Sequence, residues 1–464
     1  MRAMTPAEIA QAVGGRLVNP PGRPAAPVRI TAVSTDSRTA GAGELFFAIR
    51  GANFDGHAFL PQAAAVGCAA AVVSAEAGVS EDLAASFPGG LIVVDDTIAA
   101  LGRLAARQRR ASGAKVIAVT GSNGKTTVKM MIHHILSRRL AGSAGPKSFN
   151  NNIGVPLTLL AVSDGDDYVV CEIGTNSPGE VGSLSRIALP DVAVITSVSA
   201  THLEKLGSIE KVAAEKASML RHLAADGLAV VPADSPTLDK ALRGCDVHLV
   251  RFGESGAAEF RLTGYEPVGR GQRLEVNGRA WVELPLPGRH NAVNALAAMA
   301  AANHFGVPPA QAAEALRDFT APEMRLERIE LGDVVVINDA YNANPASMIA
   351  AADVLAEQPA ARRVMIVGDM RELGAAGPLL HMQTGAAIAA RRVDLLVCVG
   401  PLGRYMGTGA AEGGLRAVVF ESRQQAADAL AQLVRAGDVV LIKGSRAMEM
   451  EQLTESIRSA FAPA

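Results

Sequence analysis

Residues Lys115 to Lys129 read Lys-Val-Ile-Ala-Val-Thr-Gly-Ser-Asn-Gly-Lys-Thr-Thr-Val-Lys, an apolar run that breaks into a glycine-bearing loop and then a helix-compatible segment. A strand ending at Thr120, glycines at 121 and 124 that let backbone N–H groups turn inward, and a helix N-terminus after Lys125 together predict a phosphate cradle. Gly121, Ser122, Asn123, Gly124, Lys125, Thr126 and Thr127 form the nucleotide-binding set. Lys125 is the residue to reach the β/γ-phosphates, and the Thr126 hydroxyl is the one to ligate Mg²⁺. The spacing Gly-x-x-x-x-Gly-Lys-Thr would need glycine at 119, where Val119 stands, so the pattern is the shorter Thr-Gly-x-x-Gly-Lys-Thr.

At 464 residues, and about 150 residues per domain, roughly three domains are expected. Lys and Arg total 44 against 46 Asp and Glu, a formal net charge of −2. No global basic field recruits a nucleic acid polymer, and an acidic substrate must be held by local charges. Cys68, Cys171, Cys245 and Cys398 are far apart and form no Cys-x-x-Cys pair, which argues against zinc and against a disulfide framework. The first residues lack the apolar core of a signal peptide, and no apolar stretch reaches about 18 residues. The expectation is a cytoplasmic protein, monomeric and off the membrane, with ATP at hand.

Before the loop, turn-rich stretches at Asn19-Pro-Pro-Gly22 and Thr39–Gly43 precede apolar runs at Leu45–Ile49, Ala69–Val73 and Leu91–Val94, a small α/β unit ending near Gly113. After it, strands at Tyr168–Cys171 and Val192–Thr196 alternate with helical stretches, which predicts a parallel sheet covered by helices. Gln272 to Leu284 is a hairpin with Asn277-Gly278 at its turn, and Asn291 to Phe305 is an Ala-rich buried helix. Apolar runs at Val334–Ile337, Val364–Val367, Leu395–Val399, Ala417–Phe420 and Val439–Ile442 predict a doubly wound third domain. The fold class is therefore α/β in three domains. A small N-terminal α/β unit spans 1–112. A central P-loop parallel sheet with a small antiparallel addition spans 113–320, and a C-terminal Rossmann-like domain spans 321–464. Hinges are expected near Gly113 and Ala321-Pro322.

Ligands of open parallel sheets bind beyond the carboxyl ends of the strands. Glu172, at the end of the second central strand, lies where it can bind Mg²⁺ directly or through water. His202 follows a third strand end. In the last domain Asp339, Asp369, Arg371, Glu372, Lys443 and Arg446 gather charge along one sheet edge, as a second binding face aimed at the P-loop would.

In combination these motifs resemble the ATP-dependent Mur ligases of peptidoglycan synthesis, and the resemblance runs through all three predicted domains. Thr120-Gly-Ser-Asn-Gly-Lys-Thr126 is similar to that family's P-loop. Glu172-Ile-Gly-Thr-Asn176 and Ala200-Thr-His202-Leu-Glu204 resemble its metal-site segments, and Gly288-Arg-His-Asn291-Ala-Val-Asn294 its adenine-side helix. Within the family, Ser34-Thr-Asp36-Ser37-Arg38, Lys147 to Pro156, Asn338 to Asn344, Val367 to Gly374 and Lys443-Gly-Ser-Arg446 resemble the members that add D-alanyl-D-alanine to UDP-N-acetylmuramoyl-tripeptide. The Asp-Asn-Pro-Arg motif expected of the preceding ligase is absent.

The resemblance implies Lys125, Glu172, His202 and Lys216 as catalytic residues, with Thr126, Glu172, His202 and Lys216 around Mg²⁺ ions and Lys216 carbamylated. It implies Asn291 and Asn294 at adenine, and Arg325 and Asp339 closing over phosphate and ribose. Ser37, Arg38, Asn150, Asn151, Asn152, Thr175, Asn176, Asn342, Asn344, Lys443, Ser445 and Arg446 become the substrate contacts. The implied reaction is amide ligation through an acyl phosphate, with UDP-MurNAc-tripeptide, D-Ala-D-Ala and ATP as small-molecule partners. A ligase of the preceding step, a folylpoly-γ-glutamate synthase and a nucleotide-switched binding protein are the alternatives.

Overall fold

A computed structural model describes residues 1–19, 28–51, 53–78 and 80–461. The expected turn at Asn19 to Gly22 lies, beyond Asn19, outside the described residues. Among the described residues three sheets follow one another along the chain, of five, nine and six strands.

In the first sheet the strands Leu91–Val94, Ala70–Ser74, Leu45–Phe47 and Val33–Ser34 run parallel, with Arg16–Val18 antiparallel at the edge. The helix that leaves it, Thr97–Ala111, is capped by Asp96, which accepts from the amides of Ile98 and Ala99. It does not hang free as a hinge before Gly113. Arg109 on its last turn donates to the carbonyls of Ala188 and Leu189 and pairs with Asp191 at 2.7 Å. One apolar core runs from the first sheet through this helix onto a face of the central sheet.

In the central sheet the P-loop strand Lys115–Thr120 lies between Tyr168–Glu172 and Val192–Ile195, all parallel. Val119 is fully buried and pairs with Glu172 and Val194. The strand thus continues through the position where a longer loop would already have turned, which is why this loop is short. Helix Lys125–Leu136 packs against the Ala-rich helix Arg289–His304 on one face, while Thr97–Ala111, Gly154–Leu160 and Glu180–Ala188 cover the other. The hairpin Gly271–Val276 and Ala280–Leu284 forms as expected, with Asn277 and Gly278 both at positive φ, as hairpin turns require.

The third sheet holds the five expected parallel strands in the order Val334–Asp339, Asp438–Lys443, Arg362–Gly368, Leu395–Val399, Ala417–Phe420. A sixth strand, Glu327–Leu331, pairs antiparallel with the first. Its alternation of charged and apolar residues leaves it mostly half-buried, so it carries no continuous apolar run to mark it. Among the described residues no helix is long and apolar enough to cross a membrane.

Candidate active site

The carboxyl ends of the central and C-terminal strands face one cavity of about 1240 Å³. Its walls include Ser122, Asn123, Gly124, Lys125 and Thr127 of the loop, and Asn150, Asn151, Asn152, Glu172, Thr175, Asn176, His202, Asn291 and Asn294 of the central domain. From the C-terminal domain come Arg325, Asp339, Asn342, Asn344, Lys443, Ser445 and Arg446.

The loop is built by close backbone approach. Gly121 sits at φ 149°, and a Cβ there would lie 1.9 Å from the Thr196 hydroxyl. Gly124, the N-cap of Lys125–Leu136, sits at φ 81°, and a Cβ there would lie 2.5 Å from Asn294 Oδ1. Thr196 donates to the carbonyl of Asn123, whose amide donates to Ser197 Oγ at 2.9 Å. These hydroxyls follow the strand Val192–Ile195 and hold the loop from below.

Lys125 donates to the Gly121 carbonyl at 2.9 Å, and burial lowers its pKa, with Glu172 opposing that shift. Thr126 is buried just under the wall. Its hydroxyl donates to Glu172 Oε2 at 2.7 Å and accepts from Arg325 Nη2 at 2.8 Å across the domain boundary. The other Glu172 oxygen accepts from Asn150 Nδ2 at 2.8 Å. Arg325 also stacks over the Tyr341 ring, 4.2 Å from its centroid.

A second cross-domain contact joins Asn123 and Asn344. Asn344 Nδ2 donates to Asn123 Oδ1 at 2.6 Å and Asn123 Nδ2 returns to Asn344 Oδ1 at 3.4 Å. Asn344 is also the N-cap of Pro345–Glu357, accepting from the Ser347 amide at 3.0 Å. A third contact pairs His202 Nδ1 with Glu372, and the hydrogen bond from His202 holds the Glu372 carboxyl below its ordinary pKa. Both residues take positive φ, 54° and 64°.

Asp339 and Lys443 are register partners on adjacent strands, so their side chains meet, Nζ to Oδ2 at 2.6 Å; Lys443 also donates to the Asn342 carbonyl. Asn294 Nδ2 donates to Asn291 Oδ1 at 3.0 Å, and Asn291 donates to the Pro287 carbonyl. The pair is buried among helices and also lines the cavity.

Lys216 stands behind the wall, 2% exposed on helix Ile209–Ala217. Burial, and next the Lys125 ammonium, bring its pKa down to about 7. Ser37 and Arg38 do not line the cavity. Ser37 donates to Gln62 and Arg38 is spent on Asp36, an exposed local pair. Among the described residues no three His, Cys, Asp or Glu side chains converge as a ready cation site. The hard oxygen donors present are Thr126 and Glu172, which suit Mg²⁺ rather than a softer ion.

Lys129 escapes sequence reading. It is fully buried one helical turn after Lys125, with Nζ 3.8 Å from Glu172 Oε2 and donating to the carbonyls of Gly145 and Lys147. The i, i+4 spacing from Lys125 puts it on the same helix face, a pattern it shares with ordinary helix surfaces. The Thr196-to-Ser199 hydroxyls and Tyr341 lack even that.

The chain matches three family models: "Mur ligase family, catalytic domain" over 29–109, "Mur ligase middle domain" over 119–302 and "Mur ligase, glutamate ligase domain" over 324–446. It is 34% identical to the UDP-N-acetylmuramoyl-tripeptide–D-alanyl-D-alanine ligase of Bacillus subtilis (strain 168), covering 97% of each chain. It is 36% identical to the enzyme of that name from Escherichia coli (strain K12), covering 93% of this chain and 95% of the other. A crystal structure of MurF from Acinetobacter baumannii superposes with a TM-score of 0.89 at 31% identity, covering 99% of both chains. MurF ligase from Thermotoga maritima in complex with ADP gives a TM-score of 0.80 at 25% identity, covering 93% of this chain and 97% of the other. With a P-loop and a facing C-terminal sheet edge around one cleft, and likeness over nearly its whole length, the chain belongs to the Mur ligase family.

Proposed function

We propose that the chain is an ATP-dependent ligase that joins D-alanyl-D-alanine to UDP-N-acetylmuramoyl-tripeptide in peptidoglycan synthesis, yielding the pentapeptide, ADP and phosphate. Near-full-length identity to the enzymes bearing that name carries the reading. The cleft between P-loop and C-terminal strand ends supports it, because two substrates must meet a triphosphate there. Likeness to an ADP complex supports the nucleotide. The cytoplasm, where ATP is at hand, is the compartment, and a monomer suffices for a site built within one chain.

The terminal carboxylate of the tripeptide attacks the γ-phosphorus, the bond from that phosphorus to the β,γ-bridging oxygen breaks, and ADP leaves an acyl phosphate. The dipeptide amine then attacks the acyl carbon, the carbon–oxygen bond to phosphate breaks, and the amine gives up a proton. Lys125 and Arg325 offset charge on the transferred group, and their positions are fixed before reaction by the Gly121 carbonyl and the Tyr341 ring. Thr126 and Glu172 would hold Mg²⁺, which when bound neutralises phosphate charge. Domain roles follow: 1–112 for the UDP substrate, 113–320 for ATP, 321–464 for the dipeptide and closure. Asn291 and Asn294 would meet adenine, Asp339 the ribose, and His202 would serve a second Mg²⁺.

A lysine with pKa about 7 keeps a large neutral fraction at neutral pH. Neutral Lys216 can add CO₂, forming an N–C bond and losing a proton, and the resulting carbamate would turn a buried cation into a metal-facing anion.

ADP formation is measured with UDP-MurNAc-tripeptide, with and without D-Ala-D-Ala. Dependence on both is expected. ADP release driven by glutamate or a diamino acid, or without any acceptor, overturns the assignment.

A further inference from the structure

The chain crosses from the central sheet to the C-terminal sheet between helix Pro309–Leu316 and strand Glu327–Leu331, and Arg325 stands just before that strand. The residues on either side of it are both left-handed: Met324 sits at φ 54° and Leu326 at φ 57°. Among the described residues eight non-glycine residues take positive φ, and these two alone have a single residue between them. Neither is Asn or Asp, whose short polar side chains ease that conformation, so each holds it at a cost in backbone energy. Such a conformation persists only where its surroundings over-determine it.

Here the surroundings do so. The Met324 amide donates to Glu327 Oε2 at 3.1 Å, and the same oxygen accepts from Asn338 Nδ2 at 3.2 Å. The Met324 carbonyl accepts from the Tyr341 amide at 3.3 Å, and the ring of that tyrosine carries the Arg325 guanidinium. Leu326 is 6% exposed, in the apolar core that reaches both sheets. With Met324 held by both of its backbone groups and Leu326 by its side chain, the Arg325 Cα is fixed from each side. Its side chain leaves the turn across the boundary and donates to Thr126 Oγ1. Swinging either neighbour back to the extended region would re-aim Arg325 without changing any side chain.

We propose that Met324 and Leu326 are positioning residues for phosphoryl transfer, whose left-handed backbones aim Arg325 at the P-loop, a proposal that rests on the ligase reading above. The guanidinium is thereby set in place before the nucleotide arrives, and none of its orienting cost falls on the reacting state. What matters at position 324 is the conformation that the residue can hold, and its side chain is secondary. At 326 both matter, because the side chain is also the anchor.

The test sets Met324→Gly against Met324→Val. Glycine loses the side chain but takes positive φ freely, whereas valine stays apolar and its branched Cβ resists that region. A side-chain role ranks Val above Gly, and a backbone role ranks Gly above Val. In ligation of D-Ala-D-Ala to UDP-MurNAc-tripeptide, kcat should stay within about threefold of wild type in Met324→Gly and fall about tenfold or more in Met324→Val. The KM for D-Ala-D-Ala should move less than about twofold in either. Leu326→Ile keeps the buried volume but is branched, and should lose more kcat than the unbranched Leu326→Met. Calorimetry with β,γ-methylene-ATP and with ADP gives a readout without turnover: the difference between the two affinities should shrink in Met324→Val and persist in Met324→Gly. Equal losses in Gly and Val, wild-type kcat in Val, or an effect confined to the dipeptide KM overturns the proposal. Should Met324→Val fail to fold, as circular dichroism would show, a tenfold loss in Met324→Gly or equal kcat in the two Leu326 variants overturns it instead. If wild type forms no ADP with both substrates present, the ligase reading fails, and the two calorimetric affinities still decide how Arg325 is aimed.

Discussion

Removing the charge of Glu172 should unfold the central domain more readily for a reason apart from catalysis: it strands Lys129. At the 3.8 Å separation of Nζ and Oε2, attraction in an effective dielectric of about 20 is worth about 4 kcal/mol. Lys129 is fully buried and burial already lowers its pKa. In Glu172→Gln two carbonyls still accept from the ammonium but no counter-charge remains, and loss of one partner of a buried pair costs about 3 to 5 kcal/mol. Lys129→Met removes the desolvated cation as well as the pair, so adding Glu172→Gln to it should cost little more. Urea unfolding followed by the fluorescence of Trp281, the single tryptophan and a residue of the same sheet, reads the cycle. A coupling of about 2 kcal/mol or more is expected, and additivity within about 0.5 kcal/mol would refute the reasoning. The destabilisation of Glu172→Gln should also shrink as pH rises toward 10.5, the ordinary lysine value. Over that range the unfolded chain holds a proton that the folded one has shed.

Lys216 carries a pH signature of its own: with a folded pKa of about 7 against 10.5, the unfolded chain binds more protons between those values. In CO₂-free buffer stability should rise with pH across that window, by at most about 1.4 kcal/mol per unit, and calorimetry should find that slope gone in Lys216→Met. Gly124→Ala places a Cβ against Asn294 at positive φ, a backbone cost of about 1 to 2 kcal/mol. Its ADP affinity by titration calorimetry should drop at least about tenfold, since Asn294 must shift. Glu372→Gln removes the carboxylate that meets His202; because that contact lowers the Glu372 pKa, its contribution is present above 4.5 and fades as pH falls below. Small-angle scattering should report a more open particle for Glu372→Gln at pH 7, and an unchanged profile would show that the contact does not hold the domains.

Strand-and-loop punctuation made the P-loop, the hairpin at Asn277-Gly278 and the five C-terminal strands readable, because each couples an apolar run to a residue with special backbone needs. Glu172 and Asp339 were readable too, since strand ends in parallel sheets point at ligands. Lys129 was not, because its spacing from Lys125 also describes an ordinary helix surface, and only packing turns that face inward. The pairing of His202 with Glu372 joins residues from separate domains, which no local pattern encodes. Ser37 and Arg38 sit in a segment whose motif is plain, yet whose side chains find partners within reach along the chain. The shared helix Thr97–Ala111 likewise reads as a domain end until Arg109 is seen gripping the next sheet.

The reciprocal amide pair of Asn123 and Asn344 spans 221 residues of chain. At about 5 to 20 residues per second of synthesis, the P-loop emerges roughly 10 to 45 s before its partner exists. During that interval the central sheet can fold, but the cleft has only one wall. The finished site is thus late in birth order, made by contacts of very high sequence separation that form after each domain has condensed. Apolar packing crosses the same boundary, since one core runs from the P-loop side of the central sheet into helix Pro345–Glu357 and the C-terminal sheet, so the second wall is seated on buried surface as well as on polar contacts.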